Sequence, residues 1–85
     1  MNWTVEIQRS AEKELRALAP IVQRRIARAL SMLEANPFPS GVKKLQNRDG
    51  YRIRVGDYRI LYIADSTRHW IRITAIGHRR DVYHY

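Results

Sequence analysis

The pattern of apolar positions at the start of the chain predicts one strand followed by a short helix. From Trp3 to Ile7, apolar and polar residues alternate, which is typical of a strand with one buried face. Ser10 is a candidate N-cap for the helix, because its hydroxyl can accept a hydrogen bond from an amide in the first helical turn. Glu12 and Glu14 follow, where the positive end of the helix dipole favours acidic side chains.

A second, longer helix is predicted from Pro20 onward. Proline suits the first helical position, because its missing N–H needs no partner there. Apolar residues then recur at helical spacing at Val22, Ile26, Ala29, Leu30 and Leu33. The segment Asn36–Gly41 contains two prolines and a glycine, so the helix ends there.

Beyond this break, the pattern changes to that of strands. Three segments alternate apolar and polar residues, YRIRV from Tyr51, DYRILYIAD from Asp57 and WIRITAIGH from Trp70. The order of strand, two helices and three strands predicts a single α+β domain over residues 1–85. We expect a small antiparallel sheet, made of the N-terminal strand and a C-terminal three-strand meander, with both N-terminal helices packed on one face.

The dipeptide Gly56-Asp57 lies between two of these strands and predicts a two-residue hairpin turn. Such a turn places Arg54 opposite Arg59 and sorts the side chains of the hairpin between the two faces of the sheet. One face then carries Tyr51, Ile53, Val55, Tyr58, Ile60 and Tyr62. The other face carries Arg52, Arg54, Arg59 and Leu61.

This arginine cluster has two interpretations. Like charges directly opposite each other on paired strands destabilise the pair by a few tenths to about 1 kcal/mol, unless an anion lies between them. A bound phosphate would relieve the repulsion. Alternatively, the face is solvated, and its long side chains spread apart and are screened by salt.

The overall charge favours a polyanionic partner. The chain has 16 lysines and arginines against 8 aspartates and glutamates, which gives a formal net charge of +8. Of the basic residues 13 are arginine, whose planar group binds phosphate through two parallel hydrogen bonds. Nucleic acid is therefore the first candidate partner.

Several kinds of site and location are not expected. The chain has no cysteine, which excludes disulfides and thiolate-bound metals and suits a reducing cytosol. No apolar run approaches the roughly 20 residues that cross a bilayer, and MNWTVEIQRS has no export signal. The aspartates and histidines show no metal-ligand spacing. We therefore expect a cytoplasmic protein without a metal, a small-molecule cofactor or a membrane partner.

Two stretches carry a family resemblance, GYRIRVGDYRILY at Gly50–Tyr62 and IGHRRDVY at Ile76–Tyr83. With SAEKEL and NPFPSGVKKL upstream, they resemble the RelE-like toxins of the RelE/ParE superfamily, over essentially the whole chain. The resemblance implies the toxin of a type II toxin–antitoxin pair, a metal-independent endoribonuclease that cuts mRNA in the ribosomal A site. It also implies three partners, namely a RelB-like antitoxin, the ribosome and mRNA.

The resemblance implies site residues as well. In the family, basic residues on the concave sheet face hold the mRNA backbone and stabilise charge at the scissile phosphate. The matching positions here are Arg52, Arg54, Arg59 and Arg79. Tyr83 corresponds to a C-terminal tyrosine that stacks on a base. Further candidates for RNA contact are Lys43, Lys44 and Arg80.

One departure from the family pattern leaves proton transfer unassigned. The type member has lysines at the positions of Arg52 and Arg54, and lysine can act as a general base, whereas arginine hardly deprotonates in proteins. His78 is a candidate for this proton transfer, because histidine is the side chain type that changes charge near neutral pH. The alternative is that it is simply a solvated histidine at a strand end. Two other functions stay open: DNA gyrase inhibition, as in the ParE-like branch, and a catalytically silent module that binds RNA or the antitoxin.

Overall fold

The computed structural model describes residues 3–78, and in this range the chain forms a five-stranded sheet and two helices. The strands are β1 (Thr4–Ile7), β2 (Lys43–Lys44), β3 (Tyr51–Val55), β4 (Tyr58–Asp65) and β5 (Trp70–His78). The helices are α1 (Arg9–Arg16) and α2 (Pro20–Ala35). The strand order is β1-β5-β4-β3-β2. The predicted α+β class is confirmed, as is the beginning of α2 at Pro20.

The sheet is mixed rather than wholly antiparallel. β1 lies at one edge and pairs in parallel with β5, with Val5 opposite Ile71. Because β1 runs parallel to β5, helix α1 begins directly after β1 and packs beside the second half of β5. At the other edge, β2 pairs with β3 and adds a strand that was not predicted, because two residues are too few to show a strand period.

The predicted N-cap at Ser10 is wrong. Helix α1 begins at Arg9 with the extended residue Gln8 as its N-cap, and no side chain caps it. The N–H of Gln8 still donates to the carbonyl of Ile73 at 2.9 Å, so strand pairing continues up to the first helical residue. Ser10 therefore lies within the first turn, where its hydroxyl accepts a hydrogen bond from Gln8 Nε2.

Glu14 has a different role from the one predicted. Glu12 lies in the first turn of α1, but Oε1 of Glu14 accepts a hydrogen bond from the backbone N–H of Ile76 at 3.0 Å. The pairing of β1 with β5 stops at Ile73, so the edge of β5 beyond it needs another acceptor. A carboxylate of α1 takes that position and protects the edge of the sheet.

The core lies between the helices and one face of the sheet. Its buried side chains are Ala11, Ile26, Leu30, Leu33, Ile53, Ile60, Tyr62, Ile71, Ile73 and Ile76. Ile73 and Ile76 both belong to it although they are three residues apart in one strand. A register shift explains this, because Leu61 pairs with Ala75 and Tyr62 pairs with Ile73, which leaves Thr74 as an extra residue. Ala75 is thereby turned to the opposite face.

Tyr62 ties the core to the segment that ends α2. Its ring is fully buried, and its hydroxyl donates a hydrogen bond to the carbonyl oxygen of Pro37 at 2.6 Å. The neighbouring ring of Tyr51 lies 5.8 Å from that of Tyr62 and 5.1 Å from that of Phe38. Burial, and secondarily the proximity of Tyr51, raises the pKa of Tyr62, so its hydroxyl remains a donor.

We expect the substitution Tyr62→Phe to lower the free energy of unfolding by about 1–3 kcal/mol, because the buried Pro37 carbonyl loses its donor. Urea denaturation near neutral pH measures this change. An unaltered free energy of unfolding in the variant would contradict the assigned hydrogen bond.

The same residue predicts sensitivity to alkali. In the unfolded chain Tyr62 ionises near its usual pKa of about 10, whereas its pKa is raised in the folded protein. Its contribution to stability is therefore complete below about pH 10 and is lost as the pH rises further, by up to about 1.4 kcal/mol per pH unit. The Tyr62→Phe variant should show a shallower loss of stability than the natural chain in this range. An equal or steeper loss in the variant would exclude this contribution.

Candidate nucleic-acid interface

The predicted register of the β3–β4 hairpin is confirmed in full. Arg54 lies opposite Arg59, and Arg52 lies opposite Leu61. Gly56 adopts the positive φ of 61° in the connecting turn, which suits a two-residue hairpin. The three arginines therefore lie on the side of the sheet away from the helices. We call this side the arginine face and define it by Lys43, Arg52, Arg54, Arg59 and Leu61.

Strand β2 separates the two lysines that were predicted as RNA contacts. Lys43 lies opposite Arg52, whereas Lys44 lies opposite Tyr51. Because residues opposite each other share a face, Lys43 joins the arginine face and Lys44 belongs to the other side of the strand. The sequence alone predicted both lysines in one loop and therefore did not show that they lie on different sides of a strand.

The basic side chains surround a concavity of about 300 Å³, which we call the first concavity. It is lined by Gly41, Lys43, Arg52, Arg54 and Arg59. No acidic residue belongs to this lining within the described part of the chain. Four basic residues on two hairpin strands and one edge strand are thus directed at one space that suits an anion.

The three arginines differ in their exposure to solvent. Arg54 is exposed and Arg52 is half-buried, whereas only 9% of the surface of Arg59 is accessible. Arg59 also lies opposite Gly77 of β5, which adds no side chain beside it. The interpretation of a solvated face with spread side chains therefore suits Arg54 but not Arg59. A guanidinium in such a poorly hydrated position interacts strongly with an anion.

A second concavity of about 530 Å³ adjoins the first. It is lined by Lys43, Lys44, Leu45, Gln46, Arg48, Arg52 and Leu61. Lys44 thus borders this space even though the strand register places it on the other side of β2 from Lys43. Sequence reasoning missed Gln46 and Arg48, which belong to the loop of residues 45–50 between β2 and β3. That loop has no period from which its position can be read. The one feature that could have indicated these residues is the position of the loop in the sequence, directly before a strand with two candidate arginines.

The loop of residues 45–50 is folded back on itself. The N–H of Leu45 donates to the carbonyl of Gly50 at 2.9 Å, and Asn47 has a positive φ of 64°. Gly50 has a φ of 119°, and a Cβ at this residue would lie only 2.8 Å from the carbonyl oxygen of Tyr62. The side chain of Leu45 packs against Leu61 and Ala75. Glycine is thus required for the close approach of this loop to β4.

His78 does not lie on the arginine face. It pairs with Tyr58 across β4 and β5, and the two rings make an edge contact with centroids 5.7 Å apart. Tyr58 packs against the core beneath the helices, so His78 belongs to the helix side of the sheet. Its candidacy for proton transfer at the arginines loses its geometric basis.

The remaining predicted site residues, Arg79, Arg80 and Tyr83, lie outside the described residues 3–78. Within that range, no three histidine, aspartate or glutamate side chains come together as a metal site. Neither of the two helices described there is long and apolar enough to span a membrane.

Comparisons with known proteins agree with the resemblance. The family described as the ParE toxin of the type II toxin–antitoxin system, parDE, matches residues 5–83. A Methanocaldococcus jannaschii protein named as toxin RelE1 is 30% identical over 87 residues, which cover 98% of this chain and 97% of that protein.

Solved structures extend the similarity to the fold. The archaeal RelE–RelB complex from Pyrococcus horikoshii OT3 contains a chain with 31% identity and a TM-score of 0.84, with coverage of 95% of this chain and 99% of that one. A chain of the toxin–antitoxin complex RelBE2 from Mycobacterium tuberculosis has 26% identity and a TM-score of 0.82, with coverage of 93% and 100%. The chain therefore belongs to the RelE/ParE superfamily, as a RelE-like toxin of a type II toxin–antitoxin system.

Proposed function

We propose that this toxin is a ribosome-dependent endoribonuclease, which cleaves mRNA in the ribosomal A site without a metal ion and so inhibits translation. The observation that carries the proposal is the first concavity, where Lys43, Arg52, Arg54 and Arg59 are directed at one space. We propose that it acts in the cytoplasm, where ribosomes and mRNA are found.

The chemistry suits a face made of arginines. RNA supplies its own nucleophile, the 2′-hydroxyl beside each phosphate. The 2′-oxygen attacks the phosphorus while the 5′-oxygen of the next nucleotide leaves, so the protein mainly has to align these atoms and stabilise the developing negative charge. The nearly buried Arg59 suits the second task best, because its charge is the least screened by water.

The 2′-hydroxyl must also lose its proton. Arginine hardly deprotonates in proteins, so Arg52, Arg54 and Arg59 are unsuited to this step. Among the described residues that line the first concavity, Lys43 carries an ammonium group, which can donate a proton to the departing 5′-oxygen but cannot accept the proton of the 2′-hydroxyl. We propose Lys43 as the proton donor to the leaving 5′-oxygen and assign no catalytic role to His78, which lies on the helix side of the sheet. The acceptor of the 2′-hydroxyl proton stays unassigned among the described residues.

We also propose a RelB-like antitoxin as the partner that neutralises the toxin. Two of the similar structures are complexes of such toxins with antitoxins. The net charge of +8 favours an acidic segment that covers the arginine face and excludes RNA.

Inhibition of DNA gyrase is the second candidate function, because the matching family is described as the ParE toxin. That activity uses no nuclease chemistry. A gyrase inhibitor should therefore retain its toxicity when single residues of the arginine face are replaced, whereas a nuclease should lose it. Binding of RNA without any cleavage would instead indicate a catalytically silent module.

We expect Arg59→Ala to reduce ribosome-dependent cleavage about 100- to 1,000-fold, the usual effect of removing one group that stabilises transition-state charge. Primer extension on a reporter mRNA translated by purified ribosomes measures cleavage within the A-site codon. Arg59→Lys, which keeps the charge but loses the planar group, should be impaired to an intermediate degree.

Arg68→Ala is the matched control, because Arg68 is an exposed arginine in the turn at the opposite end of the sheet. It should cleave like the natural chain. Circular dichroism checks that each variant is folded. An intact transcript with the folded natural chain would exclude the nuclease proposal and lead to a gyrase supercoiling assay.

Two variants test the assignment of Lys43 as the proton donor. His78→Asn should retain most of the cleavage rate, since His78 is directed away from the arginines. Lys43→Arg keeps the positive charge but not the ability to exchange a proton, so it should lose about 100-fold or more. The measurement is the single-turnover rate as a function of pH. A strong loss in His78→Asn with full activity in Lys43→Arg would reverse the assignment.

The repulsion between the opposed arginines should be measurable without RNA. We expect Arg54→Gln to stabilise the free protein by a few tenths to about 1 kcal/mol at low salt, because it relieves the repulsion from Arg59. The difference should become smaller at about 0.5 M salt, which screens the exposed Arg54 more than the nearly buried Arg59. Thermal unfolding at two salt concentrations measures it, with Arg68→Gln as the control for net charge. A variant that is less stable at low salt would contradict this account.

A further inference from the structure

The second concavity continues from the first and shares Lys43 and Arg52 with it. Its volume of about 530 Å³ lies within the range of about 300–1,000 Å³ that is usual for sites of small organic groups. We infer that it is a nucleobase subsite, which takes the base next to the phosphate held by the arginines. This inference rests on the proposed function, since it concerns the same RNA strand.

Both concavities are lined by four basic residues, but only the second also has leucine and amide side chains in its lining, and these suit a base rather than a second phosphate. The half-buried Leu45 adds apolar surface to it, and it packs on the buried residues Leu61 and Ala75 in a small apolar cluster on the arginine face. A phosphate gains nothing from apolar side chains, whereas the flat face of a base does. The cationic residues at the shared border hold the backbone on either side.

Two polar side chains of the loop supply the groups that recognise a base. The amide of Gln46 offers both a donor and an acceptor, as the edge of a base requires. The guanidinium of Arg48 is planar and suits stacking on a base as well as hydrogen bonding to its edge. The same pair would give the toxin a preference among codons.

The shape of the loop is fixed by its own backbone. The hydrogen bond from Leu45 to Gly50 closes it, and the close approach of Gly50 to the Tyr62 carbonyl anchors it on β4. Because the loop is already anchored, little conformational entropy is lost when RNA binds to it, and this favours a higher affinity.

The test uses the full chain and a hexaribonucleotide with 2′-O-methyl groups, which cannot be cleaved. A set of six matched oligonucleotides lacks one base each. We expect one position at which loss of the base weakens binding about tenfold, as measured by fluorescence anisotropy. In the Gln46→Ala/Arg48→Ala double variant, the ratio between the dissociation constants of the abasic and the intact oligonucleotide should fall from about ten to about one. The control Arg68→Ala should keep it. Both loop residues are exposed, so the variant is expected to fold.

Nuclear magnetic resonance locates the base. The methyl signals of Leu45 and Leu61 and the side-chain amide of Gln46 should shift with the intact hexanucleotide. They should not shift with the oligonucleotide that lacks the critical base. Equal binding of all abasic oligonucleotides, or unshifted signals at millimolar RNA, would overturn the subsite. So would shifts produced only by an acidic antitoxin peptide, since the concavity would then be part of the antitoxin interface.

The outcome is separable from that of the proposed function. Base-dependent binding without ribosome-dependent cleavage would support the subsite and reject the nuclease. Cleavage together with base-independent binding would reject the subsite and leave the nuclease in place.

Discussion

The register of the β3–β4 hairpin is the constraint on which both the core and the arginine face depend. Gly56 turns the chain in two residues, so Val55 must pair with Tyr58 and Arg54 with Arg59. A slip of one residue would move Ile53 and its neighbours to solvent and direct the arginines at the helices. The burial of apolar surface beneath the helices therefore holds the basic side chains together on the other side.

The β-bulge at Thr74 adapts β5 to this hairpin. Without the extra residue, Ile76 would lie on the arginine face and Ala75 in the core. With it, Ile76 joins Ile73 beneath the helices, and the small residues Ala75 and Gly77 lie beside Leu61 and Arg59. One strand thus fills the core with its isoleucines and leaves space for the arginine side chains with its small residues. Just past this bulge, the N–H of Ile76 donates a hydrogen bond to the Glu14 carboxylate, which links β5 to α1.

The parts that could be predicted from the sequence are those decided by neighbouring residues. The turn at Gly56-Asp57 and the alternation around it define the hairpin register and the composition of both faces, without any knowledge of the rest of the chain. The parallel direction of β1, the pairing of Lys43 with Arg52 and the position of Arg48 depend on contacts between distant segments. The helix cap was also predicted at the wrong residue. Ser10 is a residue type that is preferred at caps, but strand pairing extends to Gln8, so the helix begins at Arg9.

Membership of the superfamily does not by itself choose between cleaving RNA and inhibiting gyrase, because one fold can carry both functions. The distinction has to come from residues that the fold does not need. Arg54 and Arg59 form such a pair, since a pair of opposite or neutral side chains at the same positions would suit the hairpin better. Burial of Arg59 increases the cost of the repulsion, because water screens it less. A bound phosphate would turn both charges from a destabilising into a stabilising feature, and this is the physical argument for the RNA ligand proposed above.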